Sequence, residues 1–311
     1  MTAEKQAHTT VLLKEAVDAL VTDPDGFYID GTFGRGGHSR EILSALSASG
    51  RLLAIDKDPS AIEVGKQSFA DDARFSIAHG SFATMGSLVA AQNMTGRVNG
   101  ILIDLGVSSP QLDEAERGFS FSNDGPLDMR MDSSTGITAA EWVNSVSEAE
   151  LIKVLKEYGE EKFAKRISSA IVAARAEAPL TRTLQLAKII SEAHPAWEVG
   201  RHPATKSFMA IRLFINGELE ELSTLLSQVV GMLAPGGRFV VIGFHSLEDR
   251  LVKRFIREQE RGKPIPRGLP VTEDMIERTL KSCGKPIKPS QNEVAGNVRS
   301  RSAIMRVAEK L

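Results

Sequence analysis

Residues 28–39 read YIDGTFGRGGHS: a short β-rich run, glycines at 31, 34, 36 and 37, and then the start of a helix. A glycine-dense turn between strand and helix lets backbone approach a ligand closely because no Cβ stands in the way. The spacing is not the dinucleotide G-x-G-x-x-G pattern, and no G-K-[ST] follows, so phosphate cradling is not the favoured reading. A tight turn that binds nothing is the plainer alternative.

Outward from this turn the pattern repeats. GFYIDG (26–31), RLLAID (51–56), RFSIAHG (74–80) and NGILIDLG (99–106) are strand-like, and helix-period stretches at 39–48 and 59–69 lie between them. Strands alternating with helices of this length imply a doubly wound α/β sheet, parallel and covered on both faces. Asp56 closes the second run, where a carboxylate is placed to accept ribose hydroxyls; a turn or helix-capping role is the competing reading. Asp58 is the better N-cap, because Pro59 suits the first helical position.

The next strand is RFVVIGF (238–244), introduced by APGG (234–237) and an amphipathic helix carrying Leu219, Leu222, Leu226, Val229 and Leu233. More than a hundred residues separate it from the fourth run, too many for a structureless loop. Residues 138–216 read as helices, with Ser147 and Thr181 as N-caps, so a folded insert is expected. The boundaries drawn are 1–112 with 217–311 for the sheet domain and 113–216 for the insert. Beyond the last parallel strand, residues 247–260 read as helix, a Pro/Gly-rich basic loop follows, and SAIMRVAE (302–309) reads as a closing edge strand.

Composition bounds the function. Apolar residues make up 42% and charged residues 25% of 311, which is globular usage. Cys283 is the single cysteine, so one chain builds neither a disulfide framework nor a thiolate metal cage. The six histidines, 8, 38, 79, 194, 202 and 245, lack metal-ligand spacing, and no metal is expected. No apolar run approaches the roughly 20 residues of a membrane span and no signal segment is visible, so a cytoplasmic protein without membrane contact is expected. The net charge of −2 conceals an asymmetry: from Arg250 onward 15 Lys/Arg face 7 Asp/Glu. A basic segment of this kind suits phosphates, although a solvated surface is the plainer reading.

The chemistry concentrates in ILIDLGVSSPQL (101–112), at the carboxyl edge of the fourth strand. An acidic residue followed by a small-residue and proline turn is similar to the tetrapeptide that amino-group methyltransferases set against exocyclic amines. The amine of cytosine is a poor nucleophile because its lone pair is delocalised into the ring. Acceptors must hold its hydrogens while nitrogen pyramidalises, and Asp104 with Ser108, Ser109 and Pro110 are the catalytic candidates.

Long stretches resemble one family, the bacterial 16S ribosomal RNA cytosine-N4 methyltransferases (RsmH, formerly MraW). They include HTTVLLKEAVDAL (8–20), DGTFGRGGHSR (30–40), LLAIDKDP (52–59), HGSF (79–82), ILIDLGVSSPQLDEAERGFSF (101–121), GPLDMRMD (125–132), HPATKSFMAIRLFIN (202–216), LAPGGRFVVIGFHSLEDRLVKRF (233–255) and RSRSAIMRVAE (299–309). The resemblance implies a class I, Rossmann-like, S-adenosylmethionine-dependent methyltransferase sheet with an inserted helical domain; RNA contacts are expected from that insert and from the basic C-terminus. It implies cofactor contacts at Gly36, Gly37, His38, Asp56, Phe82, Asp104 and Gln111, and as target a cytosine in the decoding region of 16S rRNA in the small ribosomal subunit.

Ser108, Ser109, Pro110 and Gln111 stand where the wider amino-methyltransferase pattern would have a second proline and an aromatic. Stacking of the target base is therefore expected from Phe119 or Phe121, with core packing as the alternative role for both. His245 is placed either to orient the base or to serve structurally, and Arg250, Lys253, Arg254 and Arg257 form a helix face suited to phosphates or simply to solvent. A DNA amino-methyltransferase, a nicotinamide-dependent oxidoreductase and a non-catalytic RNA-binding assembly factor are the competing functions, and a homodimer is left open.

Overall fold

A computed structural model describes residues 10–197, 200, 202–262 and 277–311. The described chain divides into two compact units, one of residues 1–106 with 219–311 and one of residues 107–218.

The first unit begins with α1 (Leu13–Leu20) and alternates β1 (Phe27–Asp30), α2 (Gly37–Ala45), β2 (Arg51–Asp56), α3 (Pro59–Ser68), β3 (Phe75–His79), α4 (Met85–Ala91) and β4 (Val98–Asp104). The second unit contains α5 (Ser109–Asp113), α6 (Ala139–Ser145), α7 (Glu148–Glu157), α8 (Ala164–Glu177), α9 (Thr183–Ala193) and α10 (Thr205–Asn216). The chain then resumes with α11 (Glu218–Met232), β5 (Leu233–Gly243), α12 (Ser246–Arg261), β6 (Leu280–Ser282), α13 (Gln291–Gly296) and β7 (Ile304–Lys310).

The seven strands form one sheet in the order β3-β2-β1-β4-β5-β7-β6. The first five run parallel, and β7 joins β5 antiparallel. This is a doubly wound α/β architecture, and its strand order reverses between β1 and β4. Where the order reverses, the connections leave in opposite directions and open a crevice at the carboxyl ends of the strands. Asp30 and Asp104, the last residues of β1 and β4, therefore border that crevice.

Period-2 alternation feeds both faces of the sheet. Phe27, Ile29, Ile101, Ile103, Phe239 and Val241 point to one core with Val252 and Ile256 of α12 and Leu222 and Val229 of α11. Tyr28, Leu102, Val240 and Ile242 point to the other with Ala16 and Leu20 of α1 and Ile42 of α2. Burial on both faces explains why these strands read as continuous apolar runs.

The second unit has its own core, in which Phe119, Trp142, Leu151, Ile167, Leu186 and Ile211 are buried. Ser147 caps α7 as expected, accepting from the Glu150 N–H. Thr181 does not cap α9: the N-cap is Arg182, with no side-chain cap of its own. The start of α9 is satisfied from a distant loop instead, by Asp124 Oδ1 accepting from Leu184 N–H (3.2 Å) and Gly125 O accepting from Thr183 N–H (3.0 Å). No local pattern reveals such a cap.

The closing strand also needs correction. SAIMRVAE does form β7, but β7 lies inside the sheet, and the edge belongs to the three-residue β6, which pairs antiparallel with it. The Pro/Gly-rich basic loop expected after α12 falls mainly on 263–276, outside the described residues.

Candidate active site

The glycine turn is pinned on both sides by hydrogen bonds. Gly31 donates its N–H to Leu102 O on β4 (2.9 Å), and Phe33 donates to Ile55 O on β2 (3.1 Å). At Gly36 the backbone turns into the left-handed region (φ 75°) to start α2. Gly37 is fixed by close approach, since a Cβ there would fall 1.9 Å from Thr10 Oγ1. A Cβ on Gly36 would meet the rings of Phe33 and Phe69 at 2.8 and 2.9 Å as well as forcing a disfavoured φ. Gly36→Ala is therefore expected to lose about 1–3 kcal/mol of stability in urea unfolding, together with affinity for whatever the turn binds.

Three carboxylates gather at the crevice. Asp30 is fully buried; it accepts from Ser39 Oγ (2.7 Å) and Thr32 N–H (3.2 Å). Burial pushes its carboxyl up to about 6 against the pull of those hydrogen bonds, and nearby Asp56 adds to the rise. Asp104 donates its N–H to Thr32 Oγ1 (2.6 Å), which ties the ends of β1 and β4 together. Its Oδ1 is buried with no hydrogen-bond partner among the described residues. Its carboxyl is raised well above the usual carboxylate range, by burial first and then by the negative charges of Asp30 and Glu248. Glu248 is 1% exposed and accepts from the N–H groups of Phe244 (2.9 Å) and His245 (3.3 Å).

His38, in the first turn of α2, is 3% exposed, and its Nε2 has no partner among the described residues. Burial lowers its pKa to about 4, opposed by a hydrogen bond with the Val11 backbone. It is neutral at physiological pH, so the 3.8 Å approach of its Nδ1 to Asp104 Oδ2 is not an ion pair. Asp56 at the end of β2 holds the turn: Oδ2 accepts from Gly34 N–H (2.7 Å) and Oδ1 from Asp58 N–H (2.8 Å). Asp58 caps α3 by accepting from Ser60 N–H, with Pro59 opening the helix.

Gly36, Gly37, His38, Asp56 and Asp104 thus meet at one edge of the sheet. Phe82 follows β3 and is 9% exposed; its Cβ lies beside Gly31 and its side chain belongs to the core. Ser108, Ser109, Pro110 and Gln111 belong to the second unit, where Gln111 Oε1 accepts from Ser108 N–H (2.8 Å) at the start of α5.

Of the two phenylalanines expected near the base, Phe119 is 5% exposed in the core of the second unit, while Phe121 is half-buried and stacks on His202. His245 caps α12 from the side chain and lies 2.9 Å from Glu248, which favours its structural reading. Thr32, Asp30 and Glu248 escaped the sequence reading. The D-x-T spacing and the HSLE capping box were the available signals, the second masked because histidine is an unusual N-cap.

A reversal-point crevice with a glycine turn and buried carboxylates, set in this strand order, defines a class I methyltransferase. The comparisons are specific: residues 5–311 match the model described as the MraW methylase family, and the chain belongs to that family. It is 56% identical over 306 residues to the ribosomal RNA small subunit methyltransferase H of Alteromonas mediterranea, covering 98% of this chain and 97% of that one. Solved structures are similar only distantly. One from Clostridium thermocellum is 12% identical with a TM-score of 0.46, covering 98% of this chain and 100% of that one. An rRNA methylase from Streptococcus thermophilus is 11% identical with a TM-score of 0.38, covering 95% and 92%.

Proposed function

We propose that this protein transfers a methyl group from S-adenosylmethionine to the exocyclic N4 of a cytosine in the decoding region of 16S ribosomal RNA, in the bacterial cytoplasm. The observation that carries the reading is Asp104: a half-buried carboxylate at the reversal point whose Oδ1 is buried with no hydrogen-bond partner among the described residues, in a chain of the MraW methylase family. The relative's name, a small-subunit ribosomal RNA methyltransferase, supports the substrate.

The residues present suit the cofactor. S-adenosylmethionine carries a sulfonium and an ammonium, and when bound it supplies a methyl group activated for nucleophilic attack. Asp30 and Asp104 are negative groups that burial disfavours in the free protein, so a cation beside them relieves that cost. Gly36, Gly37 and His38 receive the amino-acid end, Asp56 the ribose hydroxyls and Phe82 the adenine, with Gln111 a further contact.

Asp104 acts on the substrate side by accepting a hydrogen bond from the cytosine amine, which frees the nitrogen lone pair, and by taking the proton lost after transfer. Ser108, Ser109 and Pro110 offer hydroxyl and backbone oxygens to the second amine hydrogen. Alignment of nitrogen with the methyl carbon supplies much of the acceleration. A stacked target base must first be extruded, which costs a few kcal/mol that other RNA contacts offset. Arg250, Lys253, Arg254 and Arg257, all exposed on α12, and the helical second unit supply those contacts.

The test is transfer of labelled methyl to small ribosomal subunits purified from cells lacking the enzyme. Incorporation into those subunits and not into DNA is expected. A protein that binds subunits without labelling them is an assembly factor.

A further inference from the structure

In the second unit, the ring of Phe121 lies nearly parallel to the imidazole of His202, with centroids 4.7 Å apart and an interplanar angle of 12°. Phe208, 4% exposed, closes on Phe121 edge-on at 5.6 Å and fixes its position from the core side. Exposure rises outward along this series: Phe208 is buried, Phe121 half-buried and His202 exposed. Among the described residues no ring other than Phe121 lies against the imidazole.

His202 is also held in orientation. Its Nδ1 accepts from Ala204 N–H (3.2 Å), and its carbonyl accepts from Thr205 N–H (3.0 Å) and Thr205 Oγ1 (2.7 Å) at the start of α10. A merely solvated histidine needs none of this. Covering the face of Phe121 requires only an apolar side chain, and a leucine would bury it better. What histidine adds is a flat, polar-edged ring that tolerates water in the free protein and still offers a π-face.

We propose that the Phe121–His202 pair is a stacking platform for a base of the RNA substrate, the base lying as the next layer on His202. The proposal rests on the RNA-methyltransferase reading above. Stacking on an aromatic ring is tolerant of base identity, so the platform fixes where the strand lies and leaves the choice of target to other contacts. A ring already locked by its neighbours loses little freedom on binding, which favours affinity. His202 and Phe121 are therefore positioning residues with no part in the chemical step.

The test measures binding of the full-length protein to a fluorescein-labelled single-stranded RNA of mixed sequence, to the same RNA with abasic sites, and methyl transfer to undermethylated small subunits. His202→Ala is expected to raise Kd for the intact RNA and KM for subunits by about five- to a hundredfold, with kcat and S-adenosylmethionine affinity unchanged. His202→Phe restores both, and Phe121→Leu weakens both. On abasic RNA the wild type and His202→Ala bind equally, because the layer that stacks is gone. An unchanged Kd and KM in His202→Ala, or a loss that persists on abasic RNA, overturns the platform. If the wild type binds RNA but never labels subunits, it is the methyltransferase reading that fails.

Discussion

Asp104→Ala is expected to reduce methyl transfer by at least about a hundredfold while leaving the protein folded. The carboxylate is raised well above its ordinary range because burial, Asp30 and Glu248 all disfavour its charge. Its removal relieves that cost, so the variant should melt at or above the wild-type temperature. A purely structural residue would show the reverse: lower stability and proportionate loss of active protein.

Asp104→Asn divides the two roles assigned to the carboxylate. The amide oxygen would still accept a hydrogen bond from the proposed cytosine amine, but it does not take up a proton at neutral pH. Turnover in Asp104→Asn near the Ala level points to proton acceptance, and turnover near wild type points to orientation of the amine alone. Near-normal turnover in Asp104→Ala removes this residue from the mechanism.

The second large effect concerns pH and stability. Asp30 titrates at about 6 in the folded protein against 3.8 for an unperturbed aspartate. Between those values the folded form keeps a proton that the unfolded chain has lost, so this group's contribution is full at low pH and declines as pH rises towards 6. His38 works in the opposite sense, titrating at about 4 against 6.5. Between 4 and 6.5 the unfolded chain holds a proton that the folded form has shed, so stability rises with pH. Each shift corresponds to about 3 kcal/mol.

Measured as differences from wild type in urea titrations, the two substitutions should diverge. Asp30→Asn gains about 3 kcal/mol relative to wild type between pH 3.5 and 7, whereas His38→Gln gains a similar amount on going from pH 7 to 4. Binding of cationic S-adenosylmethionine should strengthen as pH rises through 6 in the wild type, and this dependence should flatten in Asp30→Asn. Differences that stay constant across pH exclude both groups from the linkage.

How far these features were legible in the sequence depended on the range of the interaction. The parallel sheet, the glycine turn and the strand-end carboxylates are written in local pattern, because each strand's apolar run stops where the chain turns toward the crevice. The long gap after β4 likewise announced a folded insert.

Interactions between residues far apart in sequence were not legible. The cap of α9 comes from Asp124 and Gly125, and β6 is too short to show a period. The Thr32 hydroxyl that ties β1 to β4 has meaning only once those strands are neighbours. Asp30 ends a strand-like run in the sequence, but the burial that perturbs its carboxyl exists only in the folded chain. The pairing of Phe121 with His202 joins residues separated by most of the insert.

The most direct test of the central claim is to map the product nucleoside by mass spectrometry after labelled transfer to small subunits from cells lacking the enzyme. The expected product is N4-methylcytidine in the 16S RNA, dependent on Asp104. A methyl group on a ring carbon or on a ribose oxygen, where no amine needs to be held, contradicts it.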